Sequence, residues 1–102
     1  MAQVQFGSII KTVSATGTPE ALGTGAIRCH SITFLGMKAA RTNNAGKVWV
    51  SPGSGNDTAA VPVEPGESTT FTAKDADDYF TNAQFYIDVE TAGDGVIAIF
   101  DK

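Results

Sequence analysis

Phe85-Tyr86-Ile87-Asp88-Val89-Glu90 is the stretch that decides the fold. Phe85, Ile87 and Val89 alternate with Gln84, Tyr86, Asp88 and Glu90, the period of a strand with one face buried and the other wet. Downstream, Gly93-Asp94-Gly95 predicts a tight hairpin turn. Val96-Ile97-Ala98-Ile99-Phe100 then follows, apolar on both parities, so its outer face also needs cover.

Composition agrees with that local reading. Eight valines, seven isoleucines and twelve threonines stand against two leucines and two methionines. Branching at Cβ stiffens χ1, which disfavours helix and suits a pleated surface. Eleven glycines and four prolines supply turn positions. At 102 residues and 42% apolar content the chain is expected to form one domain, residues 1–102, around a single core. The expected class is all-β: a single β-sandwich or small jelly roll of about six to eight mainly antiparallel strands.

Working outward from the deciding stretch, Ser68 to Ala73 predicts a strand carrying Phe71, reached through the turn Glu64-Pro65-Gly66-Glu67. Pro62 and Pro65 make the residues around Val61 and Val63 an edge or a connector. Val48-Trp49-Val50 predicts a short strand with the valines inward, entered from the turn Asn43-Asn44-Ala45-Gly46 and left through the loop Ser51 to Asn56. Met37 to Thr42 fits either a helical turn or a continued strand. From about Ala26 to Gly36 a strand is expected whose parity breaks, because Ile27 and Cys29 alternate out of phase with Ile32 and Phe34. A bulge near His30–Ser31 would bring all four to one face. Gly23-Thr24-Gly25 and Thr16 to Glu20 read as connections, and Val4 to Val13 as the first strand, with Val4, Phe6, Ser8 and Ile10 on one parity.

Several function classes are excluded. No run approaches the roughly 18 apolar residues of a membrane helix, and Met1 to Phe6 lacks the features of a signal peptide. One cysteine, Cys29, forms no intrachain disulfide, and one histidine, His30, is too few for most His-based metal or triad sites. The net charge of −4 argues against nucleic acid as a partner, since phosphate binding needs concentrated Lys and Arg. Its distribution is uneven: residues 1–50 are net basic and residues 51–102 net acidic. Either strands of the two halves interleave and mix the charge, or opposite-signed faces meet between neighbouring copies.

Catalytic constellations are scarce. Cys29 and His30 are nucleophile and base types, but adjacent strand residues point to opposite faces, so a core thiol beside an edge imidazole is the expectation. Asp75-Ala76-Asp77-Asp78 resembles the opening of a calcium loop without its later ligands, and is read as a solvated acidic loop. Asn56-Asp57-Thr58 matches a glycosylation tripeptide but has no secretion signal to support it. Asp88 and Glu90 share an outward face, yet nothing in the sequence buries them as acid–base work requires. No catalytic residue, no metal and no cofactor is expected, and the chain is read as a non-enzyme.

Surface aromatics carry more information. Trp49 and Tyr86 oppose the aliphatic residues of their strands, and Tyr79-Phe80 lies beside the acidic loop. With Ile97 and Ile99 of the doubly apolar last strand they form the expected interface set, Trp49, Tyr79, Phe80, Tyr86, Ile97 and Ile99.

Three groups of residues carry a family resemblance. Ile27-Arg28-Cys29-His30-Ser31-Ile32-Thr33-Phe34 leads into Ala40-Arg41-Thr42-Asn43-Asn44 and Gly46-Lys47-Val48-Trp49-Val50. Val63-Glu64-Pro65-Gly66-Glu67-Ser68 comes next, then Phe85-Tyr86-Ile87-Asp88-Val89 with Gly93-Asp94-Gly95-Val96. Over roughly residues 27–100 this pattern resembles small tailed-phage and prophage structural proteins, in particular capsid decoration, or cement, proteins. The resemblance implies a β-sandwich or jelly-roll virion component on the capsid exterior, assembled in the host cytoplasm. Its partners would be the major capsid protein and sister copies in a homo-oligomer, with no direct nucleic-acid or membrane contact. It implies no catalytic residue. Two other readings stand beside it. One is a tail or fibre module that recognises host-surface carbohydrate through Trp49, Tyr79 and Tyr86. The other is a cupin-like enzyme, which the single histidine makes a poor fit.

Overall fold

The computed structural model describes residues 6–23, 28–52, 60–75 and 79–101. Among them, short alternating segments separated by turn residues fold as β1 (Phe6–Thr12), β2 (Glu20–Ala21), β3 (Arg28–Cys29), β4 (Ser31–Leu35), β5 (Met37–Ala39) and β6 (Thr42–Asn43). The series continues with β7 (Val48–Ser51), β8 (Val61–Val63), β9 (Ser68–Thr72), β10 (Phe80–Thr81), β11 (Tyr86–Val89) and β12 (Gly95–Asp101). One 3-10 turn, Asn82–Gln84, interrupts the run. The all-β expectation holds.

Two four-stranded sheets dominate, ordered β1-β12-β4-β9 and β2-β11-β7-β8, with β10-β3 and β5-β6 as two-stranded companions. The pairings in both large sheets are antiparallel. Period-2 alternation turns one face of each sheet inward. Ile32, Phe34, Val96, Ala98 and Phe100 of the first sheet and Val48, Val50, Val63, Ile87 and Val89 of the second join one buried cluster. Phe85 is wholly buried in it, its ring centroid 5.0 Å from Phe34, 5.3 Å from Phe71 and 5.5 Å from Phe80. These tilted and edge-on contacts suit the quadrupoles of aromatic rings.

Cys29, Ile32 and Phe34 are all buried, so the phase does reset at His30, where the chain leaves the two-stranded companion and enters the first sheet. Asp101 holds the break open: its Oδ1 accepts the N–H of His30 at 2.7 Å and of Ser31 at 2.9 Å. Ile27 lies outside the described residues. Met37 to Thr42 resolves as strand rather than helix, β5 returning as β6 past Arg41, whose φ of 63° is left-handed.

The hairpin expected at Gly93-Asp94-Gly95 is not one. β11 pairs with β2 and β7, whereas β12 pairs with β1 and β4, so the turn carries the chain from one sheet to the other. Gly93 supplies the left-handed φ of 91° that this corner needs. Gly95 lies against the backbone of Lys11 and Thr12, leaving no room for a Cβ.

Candidate functional site

Two outward sheet faces carry the residues singled out in the sequence. On the first sheet, cross-strand register aligns Ile10, Ile97 and Leu35 in one row and Ser8, Ile99 and Thr33 in the next. The Thr33 and Thr70 hydroxyls are 2.8 Å apart and extend that second row to β9. Phe6 is 69% exposed, Ile10 58% and Ile99 42%, while Ile97 and Leu35 are half-buried. Ile97 and Ile99 therefore do face outward, as their parity predicts. Phe6 and Ile10 complete the patch and were missing from the expected set. The parity of Phe6 and Ile10 was legible, but not that it faces away from the core. A hollow beside the patch is lined by Phe6, Ser31, Thr33, Ile99, Phe100 and Asp101.

On the second sheet, Trp49 stands between Asp88 on β11 and Pro62 on β8, and Tyr86 opposes Ser51 and Ala21. Trp49 and Tyr86 are each half-buried. Asp88 Oδ1 accepts the N–H of Gly17 and of Val89, each at 2.9 Å, so the 14–17 turn is tied to this sheet. That carboxylate is committed to backbone donors rather than to a pair with Glu90.

The remaining candidates separate. Tyr79 is half exposed, with the Arg28 guanidinium 3.8 Å above its ring, a cation–π contact. Phe80, expected at the surface, packs against the core instead, because the short β10-β3 pair turns its ring toward Phe85. Thus Trp49 and Tyr86 share one sheet, Ile97 and Ile99 the other, and Tyr79 lies in neither, just before β10.

Cys29 is 4% exposed, its Sγ 3.7 Å from the carbonyl oxygen of Phe80. Burial, aided by the negative charge of Asp101, pushes the thiol pKa up, away from the thiolate a nucleophile needs. Residues 76–78 of the acidic loop and the Asn56-Asp57-Thr58 tripeptide lie outside the described residues. Among the described residues no group of three or more His, Cys, Asp or Glu side chains could hold a metal ion, and no helix is long and apolar enough to cross a membrane.

Long-range hydrogen bonds lock the turns that carry these sheets. Asp94, 1% exposed, accepts the N–H of Ala45 at 3.0 Å and of Gly46 at 2.9 Å through Oδ2, with Lys38 Nζ 3.8 Å from Oδ1. Neighbouring Asn44 is buried and bonds the backbone of Gly95. The turn 43–46 and the corner 93–95 are therefore one polar unit. No family model, no curated protein and no solved structure matches the chain.

Proposed function

We propose that the chain is a structural component of a tailed-phage virion: a decoration protein that binds the outer surface of the major capsid protein shell and stabilises it without catalysis or cofactor. The observation that carries this reading is the apolar outward face of β1 and β12, where Phe6, Ile10 and Ile99 stand exposed beside Ile97. Exposed apolar surface of this kind favours a partner. The sequence resemblance supplies the partner's class. A rigid antiparallel framework loses little entropy on docking, so more of each contact survives as affinity, and many copies on symmetric sites add avidity.

A jelly roll is the architecture we infer. Setting aside the two-stranded companions, eight strands remain, and in each large sheet early strands lie beside late ones: β1 beside β12, and β2 beside β11. Two interlocked Greek keys have this order.

The test is electron microscopy and protein quantification of purified particles. Density on the shell exterior with hundreds of copies supports the reading. A few copies confined to the tail would replace it with the carbohydrate-binding tail or fibre module. Absence from particles would end both.

A further inference from the structure

We propose that the free edge of β1 pairs antiparallel with β1 of a second copy of this chain, joining two first sheets about a two-fold axis. This deepens the reading of the chain as an assembling structural unit, but it is argued from the edge itself.

The direction of the backbone groups on β1 follows from its neighbour. Val13 donates its N–H to Asp94 at 2.9 Å and accepts the N–H of Gly93 at 2.9 Å, so odd-numbered residues turn their polar groups toward β12. Alternation then turns the N–H and C=O of Phe6, Ser8, Ile10 and Thr12 to the opposite side, where no strand among the described residues pairs with them. The same four residues present their side chains on the outward face.

Two of the other edges of the large sheets are guarded: β8 carries Pro62 and β2 is two residues long. The third, β9, is five residues long, with a hydroxyl row of Ser68, Thr70 and Thr72 flanked by Glu67 and Lys74. β1 has none of the usual defences: it runs seven residues in unbroken register, without proline and without a charge on its outward row. Its one charged side chain, Lys11, faces the other way and is bonded to Glu20 at 2.9 Å. A second copy approaching this edge therefore meets no like charge.

The sequence of the edge complements itself. With the two-fold axis at Ile9, Phe6 faces Thr12 of the second copy and Ser8 faces Ile10, and each of these pairs exchanges both backbone hydrogen bonds. The two Ile10 side chains become diagonal neighbours on one apolar stripe. A seam one strand wide, about 23 Å long at 3.3 Å per residue, buries less than the roughly 1,200 Å² of a stable specific interface. The pairing is therefore concentration-dependent, and it completes where copies are crowded.

The test uses the isolated full chain, so it is scored separately from any binding to shells. Sedimentation across about micromolar to millimolar concentration should show a monomer passing to a dimer. Amide exchange at Ser8 and Ile10 should slow by about tenfold or more over the same range, while Ile9 and Lys11 stay protected throughout. Ile10→Lys should keep the Ile9 and Lys11 protection, which shows that it folds, and lose the dimer. A chain that stays monomeric, a dimer in which Ser8 and Ile10 exchange freely, or a larger ring with protection at both β1 and β9 would each overturn the two-fold seam. So would an Ile10→Lys variant that still dimerises.

Discussion

Asn44 and Gly95 bond each other in both directions: Asn44 Nδ2 donates to the Gly95 carbonyl at 2.7 Å, and Asn44 Oδ1 accepts the Gly95 N–H at 3.0 Å. Both residues are buried, so neither backbone group has water to turn to. Asn44→Ala should cost about 2–4 kcal/mol, because it strands a buried donor and a buried acceptor together. Denaturant titration should show a lower midpoint at unchanged slope. A midpoint equal to wild type would mean that the corner finds other partners.

Asp94 stabilises the same unit from the adjacent position through the N–H groups of Ala45 and Gly46. Asp94→Asn keeps one acceptor oxygen and should cost about 1–2 kcal/mol, while Asp94→Ala should cost about 3 kcal/mol. Combined with Asn44→Ala the losses should be less than additive, since either change alone frees the 43–46 turn from the 93–95 corner. A double-mutant cycle measures that coupling; strict additivity would show two independent contacts.

Much of this framework was legible in the sequence, and the limits are physical. Phe85 to Val89 folds with the predicted alternation, and the phase reset at His30 was visible because a single extra residue inverts every side chain beyond it. At Gly93-Asp94-Gly95 the residues specify a reversal, but turn chemistry does not say which ladder the next strand joins. Asp94 and Asn44 read as ordinary turn residues because their partners are some fifty positions away. That half-buried Phe80 packs onto the core was hidden because β10 is too short for its parity to be read from alternation.

Cys29 gives the chain a specific alkaline dependence. Burial and Asp101 raise its pKa in the folded state above the ordinary 9.0, so the folded chain holds that proton more tightly than the unfolded chain does. The resulting stability is fully present below pH 9.0 and declines as pH rises past it toward the folded pKa. Subtracting the Cys29→Ala stability curve from that of wild type should isolate a fall that begins there. A flat difference would show the thiol to be no harder to ionise in the core than in water.

Under the proposed shell-binding role, Trp49 and Ile99 probe the two outward sheet faces separately. Ile99→Asp should reduce occupancy on purified particles by tenfold or more, equivalent to about 1.4 kcal/mol, with little loss of stability because the side chain is exposed. Trp49→Ala should weaken occupancy while leaving the fold intact. Quantitative gel analysis of particles mixed with each variant measures both. Full occupancy with Ile99→Asp would remove that face from the contact, and full occupancy with Trp49→Ala would remove Trp49.

β12 lies between β1 and β4, so the first sheet is not continuous until residues 95–101 are inserted. On the ribosome, β1 emerges well before β12, the neighbour it pairs with, which makes closure slow and strongly dependent on non-local pairing. Copies truncated before Gly95 would leave Ile32 and Phe34 without cover from Ala98 and Phe100 and open to proteases. The strand order thus withholds a continuous first sheet until synthesis has passed β12.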